Sequence, residues 1–178
     1  MSFAVPFWAG QLIVVLGWLL FRFVRCRKTK VFNWKSEAIQ LLFLVNLLVI
    51  YRMTFHPFEK LYGKVQPLLY ESATAWPFRM NLVPFVNLTD YETRSSMLLN
   101  LIGNTAMFIP TGILTPLIYN RKFFGTMLTG FLISLTIEII QLPFAVRASD
   151  VDDLILNTLG CLIGYILYAL MRALHKKK

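Results

Sequence analysis

Cysteine, histidine and acid are all scarce in this sequence: its 178 residues hold two cysteines, two histidines and nine aspartates and glutamates. Cys26 lies in a basic linker and Cys161 inside an apolar run, which excludes a disulfide scaffold and a thiolate metal site. Charged residues make up 15% of the chain, against ~25% in an ordinary soluble domain. That poverty excludes a soluble enzyme domain and a disordered tail. Internal repeats and low-complexity tracts are missing as well, so an inverted-repeat transporter has no support.

What fills the space is hydrocarbon, for 57% of the residues are hydrophobic. Five apolar runs stand out, at residues 3–21, 38–55, 97–119, 123–144 and 154–174. Each is about long enough to cross the ~30 Å hydrocarbon core as a helix. The expected fold is an all-α, polytopic membrane bundle of about five transmembrane helices. The first run is followed by Arg22, Arg25, Arg27, Lys28 and Lys30. A cleaved signal peptide has the reverse order, basic residues first, so this segment reads as a retained span. The chain divides into residues 1–36 (first span and basic linker), a membrane domain at 37–172 and a basic tail at 173–178.

Charge sets an orientation. Twelve of the eighteen basic residues fall on the side of Arg22–Lys35, Arg121, Lys122, Arg172 and the C-terminal lysines, and six on the other. By the positive-inside rule the N-terminus lies outside and the C-terminus in the cytoplasm of a cell-membrane protein. Seven of the nine acids then lie outside, with Glu37 inside and Glu138 within the fourth run. The net charge of +9 follows from membrane topology and anionic lipid, not from nucleic acid. Two outer segments result. In the longer, residues 56–96, Leu82, Val83, Phe85 and Val86 are expected to rest on the membrane surface. The shorter, residues 145–153, carries Arg147 and three aspartates.

Polar groups inside a membrane are costly and tend to face protein or water. Asn100 and Asn104, four apart, share a helix face. Gly103 beside them would permit close packing, and Pro110 with Gly112 marks a place where the helix is expected to kink or unwind. The fourth run carries Thr126, Gly130, Ser134, Glu138 and Gln141 as one small-and-polar stripe. Glu138 lies on the order of 9 Å below the outer end of its helix. There a carboxylate must be protonated, paired or solvated by a cavity, and Arg147 or Arg94 would be its ion-pair partner. Asp150, Asp153, Asn157, Gly160 and Gly164 form a further helical stripe, with Ser149 or Asp150 as N-cap. Three helices thus place polar groups in the same leaflet. They imply a shared outward pocket lined by Glu138, Gln141, Arg147, Asp150, Asp153 and Asn157, with Asn100 and Asn104 as further ligand-binding candidates.

Asn81-Leu-Val-Pro-Phe85, Asn100-Leu-Ile-Gly-Asn104, Phe108-Ile-Pro110-Thr-Gly112, Glu138-Ile-Ile-Gln141 and Arg147-Ala-Ser-Asp-Val-Asp-Asp153-Leu-Ile-Leu-Asn157-Thr-Leu-Gly160 occur here in that order. In this set the chain resembles the VanZ-like family over about residues 37–172, with Thr111 standing where that family more often has an apolar residue. The resemblance implies a bacterial envelope protein, in a family named after a glycopeptide resistance determinant associated with teicoplanin. It supplies no mechanism.

Two functions compete. The first is a non-enzymatic protein that lowers antibiotic access by engaging a membrane lipid, a lipid-linked cell-wall precursor or the glycopeptide itself at the outer leaflet. The second is an intramembrane enzyme on a lipid-linked or surface substrate. Glu138 would be its general base, Arg147 would bind phosphate or carboxylate, and Asp150 and Asp153 would complete the catalytic set. Asp150, Asp152 and Asp153 could hold a hard cation, but clustered aspartates at a helix start are ordinary caps, so neither metal nor cofactor is expected. His56 is placed in a distant loop and His175 in the cytoplasm, away from the pocket.

Overall fold

The computed structural model describes residues 2–29, 33–56, 60–61, 64–65, 67–72, 76–78, 80–86, 93–144 and 149–176. They contain five helices: α1 (Phe7–Thr29), α2 (Trp34–Phe55), α3 (Arg94–Tyr119), α4 (Phe123–Gln141) and α5 (Val151–Lys176). All five are long and apolar enough to cross a membrane. A helix satisfies its backbone groups within its own segment, which hydrocarbon demands. The expected all-α bundle of a multi-pass membrane protein is the architecture observed.

Local chemistry sets the helix ends. Pro6 disfavours helical geometry in the residue before it, so residues 2–5 do not join the first helix as expected. They form strand β1 (Ser2–Val5) instead. The Asn33 side chain accepts from the Lys35 N–H at 3.0 Å and starts α2. Thr93 and Ser96 make a reciprocal capping box that starts α3. Asn120, in the left-handed region at φ 50°, ends it. Pro143 has no N–H to extend the ladder, and α4 stops at Gln141, short of residue 144.

The segment between α2 and α3 supplies β2 (Lys60–Leu61), β3 (Lys64–Val65), β4 (Leu68–Glu71) and β5 (Met80–Asn81); β6 (Ser149–Asp150) precedes α5. β1 runs antiparallel to β4, with Ser2 opposite Glu71 and Val5 opposite Leu68. β5 lies parallel to β6, with Met80 opposite Ser149 and Asn81 opposite Asp150. Leu68 drops from its strand into the buried cluster of Ile50, Phe55, Met107, Phe108 and Ile137.

Small residues set how closely the helices approach. A Cβ on Gly160 would stand 1.9 Å from the Thr105 carbonyl oxygen, one on Gly164 2.1 Å from that of Ile109, and one on Gly112 2.1 Å from that of Cys161. The backbones of α3 and α5 are therefore in direct contact, the close packing that small residues permit between membrane helices. Gly103 plays no such part, since a Cβ there would meet nothing within 4 Å. Nor does α3 unwind at Pro110. It stays helical through Pro110 and Pro116, and Asn46 of α2 braces that turn. Its amide donates to the Met107 carbonyl at 2.9 Å and accepts from the Thr111 hydroxyl at 2.7 Å. A neighbouring helix thus braces the turn that contains the proline.

The bundle has two unlike ends. One gathers β1, β4, β5, β6 and the acids Glu71, Glu138, Asp150, Asp152 and Asp153; the other gathers Arg22, Arg25, Arg121, Lys122 and Arg172. They are called here the acidic and the basic end.

Candidate functional site

The α4 stripe foreseen from spacing is the buried face of that helix: Thr126, Gly130, Ser134, Glu138 and Gln141 are all buried. It faces α5 rung by rung. The Cys161 thiol donates to the Thr126 carbonyl at 3.5 Å, and Cys161 also fills the space over Gly130. The Asn157 amide, 1% exposed, donates to the Ser134 hydroxyl at 2.9 Å. Glu138, 5% exposed, closes the ladder at the acidic end.

Glu138 meets no arginine among the described residues. Its Oε2 accepts the Asp150 backbone N–H at 2.9 Å, and the Ser149 hydroxyl also donates to the carboxylate. Arg94 stands exposed in the first turn of α3, so the pairing expected between it and Glu138 is not formed. Arg147 lies outside the described residues.

Asp150 is shared between three partners. Its Oδ1 accepts from the Asn81 amide at 3.1 Å and from the Asp152 N–H at 2.9 Å, while its own N–H serves Glu138. The Asp150 carboxylate therefore caps α5 and holds β5 together. Asp152 is buried, and its Oδ1 accepts the Phe85 N–H at 2.8 Å. The Asn81 side chain accepts the Val83 N–H at 3.1 Å, making a tight local turn. Phe85 sits at φ 63°, a left-handed conformation that is uncommon for an aromatic residue and is secured here by Asp152. Asp153 accepts from Asn104, and Asn104 reaches back to Asn100 at 3.5 Å. The Gln141 amide donates to the Thr54 carbonyl at 2.9 Å and ties α4 to the last turn of α2.

Of the eight candidates, the structure therefore connects Glu138 with Asp150, and Asp153 with Asn104 and Asn100. Gln141 and Asn157 belong to the same end but make separate links, to α2 and to α4. Among the described residues, each keeps a buried acceptor without a partner, Gln141 Oε1 and Asn157 Oδ1. The described residues hold no group of three His, Cys, Asp or Glu side chains placed to share a metal ion. Around this network Leu82, Val83, Phe85 and Val86 are all more than half exposed. Two large cavities lie elsewhere, between α1, α2 and α4; one is almost wholly apolar and the other is apolar except where Arg25 and Arg121 line it.

Asn46 was not singled out from sequence, and the only hint of it was its polarity inside an apolar run. Asn81 entered the sequence reading only as part of a motif; in the structure it holds Asp150, while Asp152 of α5 holds Phe85. His56 is not in a distant loop. It is fully buried at the C-terminus of α2, its Nε2 2.8 Å from the Tyr51 hydroxyl and its ring edge-on to Phe7.

The VanZ/LLP1 family model matches residues 43–172, a span that holds every residue of the acidic-end network. The chain is 35% identical over 92 residues to Protein VanZ of Enterococcus faecium, a match covering 51% of this chain and 53% of that protein. The match thus spans about half the length of that relative. No solved structure matches. The chain belongs to the VanZ/LLP1 family.

Proposed function

We propose that this chain is a bacterial envelope protein that lowers susceptibility to lipid-tailed glycopeptides such as teicoplanin, working non-enzymatically at its acidic end. One observation carries the reading. Carboxylates and amides from α3, α4, α5 and the 80–86 segment converge at a single end, bordered by exposed Leu82, Val83, Phe85 and Val86. A ligand arriving along the membrane surface would meet acceptor groups and apolar anchors together. The charge bias of the chain favours this end facing outward, where a glycopeptide or a lipid-linked cell-wall precursor is encountered. Family membership supports the resistance association, and the ligand is part of the proposal.

The test is expression in a glycopeptide-susceptible bacterium. Wild type should raise the inhibitory concentration of teicoplanin, and Glu138→Gln or Asp153→Asn should lower it again at equal membrane abundance. Resistance that survives both changes would sink the reading. Precursor and lipid analysis of the same cells should show unchanged chemistry. A species altered only by wild type would point to catalysis instead.

A further inference from the structure

The two cavities are parts of one groove. Val14, Leu47, Thr129 and Ile133 line both, and the volumes are about 710 and 740 Å³. Along α1 the lining runs from Gly10 to Arg25, roughly 22 Å at the helical rise, a large part of the ~30 Å hydrocarbon thickness. The wall is apolar even where its residues are not. The Thr129 hydroxyl donates to the Gly125 carbonyl at 2.8 Å and that of Thr136 to Leu132 at 2.7 Å, so both turn back into their own helix. The Tyr51 hydroxyl is held by His56. A cavity so lined does not hold water, and within a bilayer hydrocarbon fills it.

The groove changes character at the basic end. There Arg25 and Arg121 line it, the Arg25 guanidinium 4.5 Å above the Tyr119 ring. On this side Arg22 holds Glu37 through contacts of 2.5 and 2.6 Å. An apolar trough with two guanidinium groups at its mouth matches a molecule with a hydrocarbon chain and an anionic head. We infer that the groove between α1, α2 and α4 binds an anionic phospholipid, its acyl chain along Gly17 and Trp18 and its phosphate at Arg25 and Arg121. The site is separate from the acidic end, and its test does not depend on the function proposed there.

Trp18 reports on the groove directly. With Trp8, Trp34 and Trp76 replaced by phenylalanine, Trp18 fluorescence is followed in phosphatidylcholine vesicles containing either bromine-labelled phosphatidylglycerol or bromine-labelled phosphatidylcholine at equal mole fraction. Labelled phosphatidylglycerol should quench more strongly, with a relative affinity on the order of fivefold. Arg25→Gln with Arg121→Gln should bring that preference to one. Gly17→Leu adds a side chain where a Cβ meets nothing within 4 Å, and it should reduce quenching by either lipid. If the double variant loses helicity, Arg121→Gln alone, at an exposed position, should still lower the preference. Equal quenching of the parent by the two lipids, or a preference unchanged by the arginine substitutions, would overturn the inference.

Discussion

The carboxylate of Glu138 accepts the backbone N–H of Asp150 at 2.9 Å, so a side chain near the end of α4 holds the residue from which α5 begins. Glu138→Gln keeps an acceptor at that position and should leave stability within about 1 kcal/mol of wild type. Glu138→Ala removes it and should cost about 1–3 kcal/mol. Hydrogen exchange at the Asp150 amide separates the two: protection retained in the glutamine variant, lost in the alanine one.

Asp152 fixes the backbone of Phe85 from across the acidic end. Asp152→Asn can still accept that N–H, whereas Asp152→Ala frees it and releases the exposed 80–86 segment. Chymotrypsin should cut after Phe85 several-fold faster in the alanine variant and at the wild-type rate in the asparagine one. Equal rates in all three would show that the clamp is not formed.

The glycines divide into two kinds. Gly160→Ala drives a Cβ toward the Thr105 carbonyl, and separating α3 from α5 should cost about 2 kcal/mol or more, in the range of overpacked cores. Gly103→Ala meets open space and should gain about 0.5–1 kcal/mol from helix propensity. Thermal melting in detergent micelles measures both signs.

Asn46 serves two groups on α3 at once. Asn46→Leu deprives Met107 and Thr111 of their partner and should cost about 1–2 kcal/mol. Asn46→Asp retains an acceptor for Thr111 and loses the donor to Met107, so its melting temperature should fall between those of wild type and the leucine variant.

Cys26 is exposed near the basic end and Cys161 is buried. A membrane-impermeant maleimide should therefore label one site per chain. Labelling in inverted vesicles and not in intact cells would place the basic end in the cytoplasm, and the opposite result would invert the orientation read from charge.

What could be read in the sequence was whatever repeats along one helix. The Thr126–Gln141 stripe and the Asp153–Asn157–Gly160–Gly164 stripe were legible because helical period alone decides which residues share a face. Their partners were not. Asn81 reaches Asp150 across 69 residues and Asn46 reaches Thr111 across 65, and nothing local to either residue encodes the meeting. Pro110 looked like a break because the bracing amide belongs to another helix. Glu138 looked like half of an ion pair because a backbone N–H carries no sequence signature. His56 seemed remote because residues beyond an apolar run resemble loop, and its burial depends on Phe7 and Tyr51 packing over it.

The strand made by Ser2–Val5 also imposes an order of events. Its partner, Leu68–Glu71, lies beyond both α1 and α2 in the chain. The first helix can enter a membrane as soon as it is synthesised, but its near end is not tied down until the second helix has returned the chain to the same side. Until then the Val5–Leu68 pair and the burial of Leu68 do not exist. Closure over that sequence distance carries its loop entropy before any contact rewards it. Seating of α1 thus waits on the synthesis of α2 and Leu68–Glu71, and the groove beside it waits on α4 as well.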